Sequence, residues 1–429
     1  MSVSLHEIIN RLRGSVILRD SSWAIAGNAV GRGLSMIAGI VVARWLGAEI
    51  YGEYGLIKST LAYVATFATF GLGYATTKYV ANRINTKEPT DIIVKVSLYI
   101  TFIFSVIMAL CLWFGSEYLS DDDHIVTALK YTSLIIVFYA INNTQIGLLA
   151  GFGDFRAIAI NNAIVGVATF VLSVALTFYY GLEGAAGALF SATVLQCVLN
   201  HISVRRHRQE INGSTWRETR SMTGELLRFS FPIALQESVS IVAELLRMFM
   251  IINIAEYKQW GLFTASNQWY VLLLFIPGAL RNVILSHLSG NEGTESHERV
   301  FNTMLKINLV ATAIPAVVIL CASPLISYFY GSTFTGFTAV LIIAIATSLL
   351  GCAAGIYTQE FFSRGKNWTI VCGVLVRDMG ALVLSYPLLR IYGREYGAAI
   401  MYSAILLTHL AYVCILHYMR KKYYIQPIT

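Results

Sequence analysis

The chain has 429 residues, 56% of them hydrophobic and 13% charged, with a mean hydropathy of +0.63 and a formal net charge of +7. That balance excludes a large soluble domain, and the positive charge calls for no nucleic-acid partner because its basic residues are spread over short loops and a tail. The six cysteines lie scattered within apolar stretches, so they suggest neither a disulfide framework nor a metal site.

A hydrocarbon core of about 30 Å is crossed by about 20 apolar residues in a helix. Runs of that length are predicted as helices at 22–46, 55–78, 92–115, 125–150, 157–180, 183–203, 229–252, 261–284, 303–327, 336–359, 368–389 and 396–418. The first is too long for a signal-peptide core and has no small-residue cleavage site after it, so it reads as a true span.

Charge then sets the orientation. Alternate connections carry most of the 31 Lys and Arg, including Arg11, Arg13, Arg19, Lys78, Arg83, Lys87, Lys95, Arg205, Arg206, Arg208 and the tail Arg420, Lys421 and Lys422. The opposite face has Arg44, Lys58, Lys130, Lys258, Arg390 and Arg394, with the acidic run Asp121, Asp122 and Asp123. The positive-inside rule therefore predicts both termini in the cytoplasm. Trp23, Trp45, Trp113, Trp260 and Trp368 fall near span ends, where an amphipathic ring is favoured.

The polar stretch 204–228 divides the chain into an N-terminal bundle of six spans, 1–203, and a C-terminal bundle of six, 229–429. Tyr180-Gly181-Leu182-Glu183, with Ala186, Ser191 and Ala192, recurs as Tyr392-Gly393-Arg394-Glu395 with Ala398, Ser403 and Ala404. Tyr54-Gly55-Leu56 matches Trp260-Gly261-Leu262 at an offset of 206. An even number of spans per half gives a parallel repeat about an axis along the membrane normal. Gly27 with Gly31, and Gly181 with Gly184 and Gly187, are spaced for close helix contact.

Ionisable groups deep in a span are costly and need a reason. Lys58, Lys130 and Lys306 lie close enough to span ends to extend to the headgroups. Arg32 and the pair Arg377-Asp378 stand about ten residues inside theirs. In the seventh span Glu237 and Glu244 differ by only about 20° around the helix, and Arg247 lies within about 60° of Glu244. Asn28, Gln236, Asn267, Gln268, Asn142, Asn143 and Gln145 accompany them. Glu244 with Arg247, and Arg377 with Asp378, also suit local pairing; a water-filled cavity between the halves would satisfy all of these groups together. At the repeat offset of 206, Arg32 stands opposite Ser238 and Glu244 opposite Ala38, so the buried charges do not recur.

Asn28-x-x-x-Arg32-x-x-Ser35, the string Ala43-Arg44-Trp45-Leu46-Gly47-Ala48-Glu49-Ile50-Tyr51-Gly52-Glu53-Tyr54-Gly55, and Gly71-Leu72-Gly73-Tyr74-Ala75 with Lys78 resemble the opening of bacterial polysaccharide transporters of the O-antigen flippase type. Related exporters of teichuronic acid, capsule and exopolysaccharide units share this motif. Its place at the outer end of the first span suggests a structural turn. The resemblance implies the multidrug/oligosaccharidyl-lipid/polysaccharide superfamily: an all-α membrane protein with two six-helix bundles around a central cavity. It also implies an undecaprenyl-pyrophosphate-linked oligosaccharide, moved from the cytoplasmic to the periplasmic leaflet of the bacterial inner membrane alongside a polymerase and glycosyltransferases.

Arg32, Arg247 and Arg377, with Asn28 and Gln268, are then the candidate substrate contacts, since a pyrophosphate suits a guanidinium fork. No Gly-x-x-x-x-Gly-Lys-Ser/Thr loop occurs, so no nucleotide-driven step is expected, and no cofactor or metal is implied. Glu237, Glu244 and Asp378 are the candidates for a proton or sodium site. A drug exporter of the same fold would favour cationic substrates and an acidic cavity. A membrane polymerase or glycosyltransferase would need an extramembrane catalytic surface, and the longest predicted outer loop has only about ten residues.

Overall fold

The computed structural model describes residues 16–118, 123–207, 216–275, 277–278, 296–364 and 366–422. They form nine long α-helices: α1 (Val16–Thr69), α2 (Leu72–Thr86), α3 (Asp91–Gly115), α4 (Asp123–Gly151), α5 (Phe155–Arg206), α6 (Trp216–Leu273), α7 (Ser296–Tyr330), α8 (Phe337–Ser363) and α9 (Asn367–Arg420). Among the described residues there is no strand, and eight helices are long and apolar enough to cross a membrane. The protein is an all-α integral membrane protein.

The four longest helices are not single rods. A straight helix of 54 residues, the length of α1, would run about 80 Å, far beyond one bilayer core. Each contains one non-helical residue: Gly47 in α1, Gly181 in α5, Glu256 in α6 and Tyr396 in α9. Cross-contacts show that α5 and α9 fold back on themselves there. In α5, Asn161 donates to Asn200 at 2.9 Å and Gln196 to Asn162 at 3.1 Å. In α9, Gly373 faces the Tyr412 ring and Gly380 faces Thr408. The apolar surplus follows the solvent: α7 exposes Val310, Ile314, Val317, Val318 and Leu325 and buries Asn308, Thr312 and Ser323.

The chain divides into two compact units, Met1–Val42 with Ile57–Ser238, and Ala43–Leu56 with Val239–Thr429. Reading the sequence as two halves on either side of 204–228 groups 43–56 with the first half; the compact units group it with the second. Glycine is the physical reason. A Cβ on Gly52 would overlap the Tyr257 carbonyl, and one on Gly261 would overlap that of Ala48, so these backbones approach more closely than any other residue permits.

This reciprocal contact also corrects the repeat register. Gly47 (φ 76°, ψ 169°) and Glu256 (φ 72°, ψ 165°) share one backbone conformation 209 residues apart. In that frame Tyr51-Gly52 matches Trp260-Gly261, while the offset of 206 paired the next aromatic-glycine step. Arg32 then stands opposite Ile241, and Asn28 opposite Glu237. The structure adds an echo overlooked in the sequence: Gly147-x-x-x-Gly151 in α4 and Gly351-x-x-x-Gly355 in α8. In the first unit α2 fills that groove, with Thr77 donating to the Gly147 carbonyl at 2.9 Å. In the second, Gly351 and Gly355 line a cavity of about 140 Å³ with Leu274, Pro277 and Gly278.

Candidate functional site

The second unit concentrates charge at mid-helix. In α6, Arg247 donates to Glu244 Oε1 at 2.6 Å, a pair three residues apart on one face. In α9, Arg377 donates from Nε to Asp378 Oδ1 at 2.7 Å and from Nη2 to Oδ2 at 3.0 Å. The local pairing that the sequence left open is therefore present in both cases. Arg247 and Asp378 are each 6% exposed, so these ions sit inside the protein and not on its lipid face.

Two residues have members of both pairs within electrostatic reach. Tyr270, on the returning part of α6, lies within electrostatic reach of Arg377, Glu244, Arg247 and Asp378. His409, on the returning part of α9, lies within reach of Arg377, Asp378 and Arg247. The Arg377 guanidinium carbon stands 5.4 Å from the centre of the Tyr412 ring. Four charged groups, two tyrosines and one histidine thus share one site. Its chemistry is that of guanidinium groups held by carboxylates, with aromatic faces beside them.

Arg32 belongs to the first unit and is exposed, with Tyr139 of α4 in electrostatic reach. It follows a tight crossing, where a Cβ on Gly31 would come within 2.5 Å of the Asn162 carbonyl of α5. Glu237 is half-buried and also falls in the first unit. Gln268 donates to the Tyr51 hydroxyl in an aromatic cluster with Tyr330 and Phe334, half a turn away from the face of Tyr270. The side chains of Asn28 and Gln236 lie outside the described residues, as do Asp121 and Asp122.

Lys58 departs from its expected place. The second segment of α1 starts directly after Gly47, so Lys58 stands eleven residues along it, about 16 Å from the turn. The apolar run had suggested a start near residue 55, which put this lysine at the span end. Arg44 fulfils the structural reading of its motif, since its Nη1 donates to the carbonyls of Tyr328 at 3.0 Å and Phe329 at 3.2 Å and so caps the end of α7.

Buried polar groups pair in both units. In the first, neutral groups pair: Asn161 with Asn200 and Ser203, Asn142 with the Thr193 carbonyl at 3.0 Å, and Thr101 with Thr144 at 2.8 Å. In the second, besides the site above, Glu360 is fully buried at the end of α8. It accepts from His297 Nε2 at 2.7 Å and Arg364 Nε at 3.1 Å, with Arg420 Nε at 3.5 Å. Arg420 also lies 3.8 Å over the Phe301 ring. This cluster ties α7, α8 and α9 together.

Sequence reasoning missed His409, Tyr270 and Glu360. His409 carries a usable signal, a titratable ring inside an apolar span. Glu360 falls one residue beyond the span predicted at 336–359, whereas the helix runs to Ser363.

Broken helices in two compact units, with charged pairs buried at mid-helix, define an all-α integral membrane protein. The sequence profile described as "Polysaccharide biosynthesis protein" matches residues 17–280, and the chain belongs to that family. It is 22% identical over 297 residues to the EPS I polysaccharide export inner membrane protein EpsE of Ralstonia nicotianae (strain ATCC BAA-1114 / GMI1000), covering 67% of this chain and 66% of that protein. It is 26% identical over 362 residues to stage V sporulation protein B of Bacillus subtilis (strain 168), covering 75% of this chain and 67% of that protein. The chain thus spans about two thirds of these relatives' length. Among solved structures, a multidrug resistance MATE family transporter in an inward-facing conformation aligns with a TM-score of 0.75 at 17% identity, over 92% of this chain and 94% of that one. The lipid II flippase MurJ, inward closed, aligns with a TM-score of 0.72 at 15% identity, over 91% and 86%.

Proposed function

We propose that this protein carries an undecaprenyl-pyrophosphate-linked oligosaccharide, an O-antigen or related surface-polysaccharide unit, from the cytoplasmic to the outer leaflet of the bacterial inner membrane by alternating access. The observation that carries the reading is Arg377, held at mid-helix by both oxygens of Asp378, beside Arg247, Tyr270 and Tyr412. A pyrophosphate diester carries two negative charges and is bound best by guanidinium groups that are already oriented in a low-dielectric site. Asp378 uses two of the five N–H groups of Arg377 and leaves the others for the diphosphate. In this reading Glu244 and Asp378 act as orienters of the arginines.

The assignment also supports twelve crossings with both termini in the cytoplasm, each of the four broken helices counting as two. The chain's family and the polysaccharide export named for its Ralstonia relative favour a sugar-bearing substrate.

The test is reconstitution into liposomes with a fluorescent lipid-linked oligosaccharide whose exposure in the outer leaflet is followed over time. Wild-type protein is expected to equilibrate it between leaflets, and Arg377→Ala to lose that activity while remaining folded. Equal rates for wild type and Arg377→Ala, or efflux of a cationic dye in place of the oligosaccharide, would refute the assignment.

A further inference from the structure

His409 is 7% exposed, and its Nδ1 stands 2.9 Å from the carbonyl oxygen of Ile405, one turn back on α9. A carbonyl only accepts, so Nδ1 carries the hydrogen and Nε2 is left with its lone pair. Nε2 has no hydrogen-bond partner among the described residues. The groups around the ring are Arg377 and Asp378 from the outgoing part of α9, Arg247 with its partner Glu244 from α6, and Tyr270 from the returning part of α6. Both carboxylates are engaged by arginines at 2.6 to 3.0 Å. Among the described residues of this site, His409 Nε2 is the basic atom that no partner engages.

Charge balance gives that atom a role. Arg247 and Arg377 are offset by Glu244 and Asp378, so the empty site is neutral when His409 is neutral. A bound diphosphate diester makes it doubly negative, and a proton on Nε2 removes half of that excess in a region of low dielectric. We propose that His409 takes up a proton together with the anionic headgroup, so that proton and substrate occupy the second unit as a pair. The proton comes from water, forms an N–H bond at Nε2, and leaves when the anion leaves. This rests on the diphosphate reading of the Arg377 site and transfers the ion-coupling role from Glu244 and Asp378 to a histidine.

Linkage makes the claim measurable. An anion that favours the imidazolium must itself bind more tightly where the imidazolium is populated, so affinity rises as pH falls through the range in which the ring is protonated in the anion-bound protein. The probe is a short-chain prenyl-pyrophosphoryl-N-acetylglucosamine, a diester whose own charge is constant between pH 6 and 8. Its binding to the full chain in detergent is measured calorimetrically in two buffers of different ionisation heat, which counts protons taken up per ligand.

Wild-type protein is expected to take up a fraction of one proton at pH 7 and to lose on the order of tenfold in affinity from pH 6 to pH 8. His409→Gln is expected to bind with no uptake and a flat pH profile. The same uptake and slope in His409→Gln would overturn the proposal. Failure of the wild type to bind the diester at any pH would overturn the Arg377 reading itself, before pH enters. Should His409→Gln and His409→Asn both be lost from the membrane, the wild-type count decides alone, and zero uptake per bound diester refutes it.

Discussion

Glu256 adopts the same left-handed backbone conformation as Gly47, 209 residues earlier in the chain, and each ends the first segment of a folded-back or broken helix. At Gly47 no Cβ is present to clash, whereas at Glu256 the side chain makes this region costly by about 1 kcal/mol. The Glu256 carboxylate meets Arg394 at 3.2 Å, but both side chains are largely exposed, so that pair returns little. Glu256→Gly is therefore expected to stabilise the protein by about 1 kcal/mol, and Gly47→Ala to destabilise it by a similar amount or more. Thermal unfolding in detergent measures both, and a lower midpoint for Glu256→Gly would count against the shared conformation.

Arg377→Lys is expected to retain part of the export that Arg377→Ala loses, since an ammonium keeps the charge but not the fork. Asp378→Asn keeps shape and removes the counter-charge, so it is expected to lower headgroup affinity by misorienting Arg377. Surface polysaccharide in cells, normalised to protein in the membrane, reads all three. An Asp378→Asn protein that exports normally would show that Arg377 needs no carboxylate to hold it.

How far the sequence carried these assignments depended on the kind of signal. Apolar runs located the helices because lipid demands about 20 such residues per crossing. Arg247, Glu244, Arg377 and Asp378 were legible because a charge inside an apolar run is conspicuous at any register. Their convergence with Tyr270 and His409 was not, because it depends on where α6 and α9 turn, and the turn in α6 is made by a glutamate with no turn signature. Lys58 was misplaced for a related reason: Gly47, not the start of the apolar run, begins its segment. Gln268 shows the converse failure, since a polar residue in a span served the packing of Tyr51 and not the charged site.

Arg44 provides a control for the site. Its two bonds to the Tyr328 and Phe329 carbonyls cap α7, and no part of the Arg377 cluster touches it. Arg44→Ala is expected to lower stability by about 1 kcal/mol while leaving diester affinity unchanged. A selective loss of affinity at unaltered stability would instead make Arg44 a substrate residue.

Glu360 has the largest expected effect on folding. The carboxylate is fully buried and receives His297, Arg364 and Arg420, so its negative charge is the counterweight to two guanidinium groups in the same interior. Removing one partner from a buried ionic network leaves the others uncompensated, which costs about 3 to 5 kcal/mol. Glu360→Gln should thus sharply reduce the amount of protein in the membrane. Arg420→Leu should be milder, because Glu360 keeps Arg364 and His297. The double variant Glu360→Gln, Arg420→Leu removes one charge of each sign and is expected to be less damaging than the sum of its single changes. Thermal midpoints for the four proteins give the coupling directly, and strict additivity would mean that Glu360 and Arg420 do not sense one another across α8 and α9.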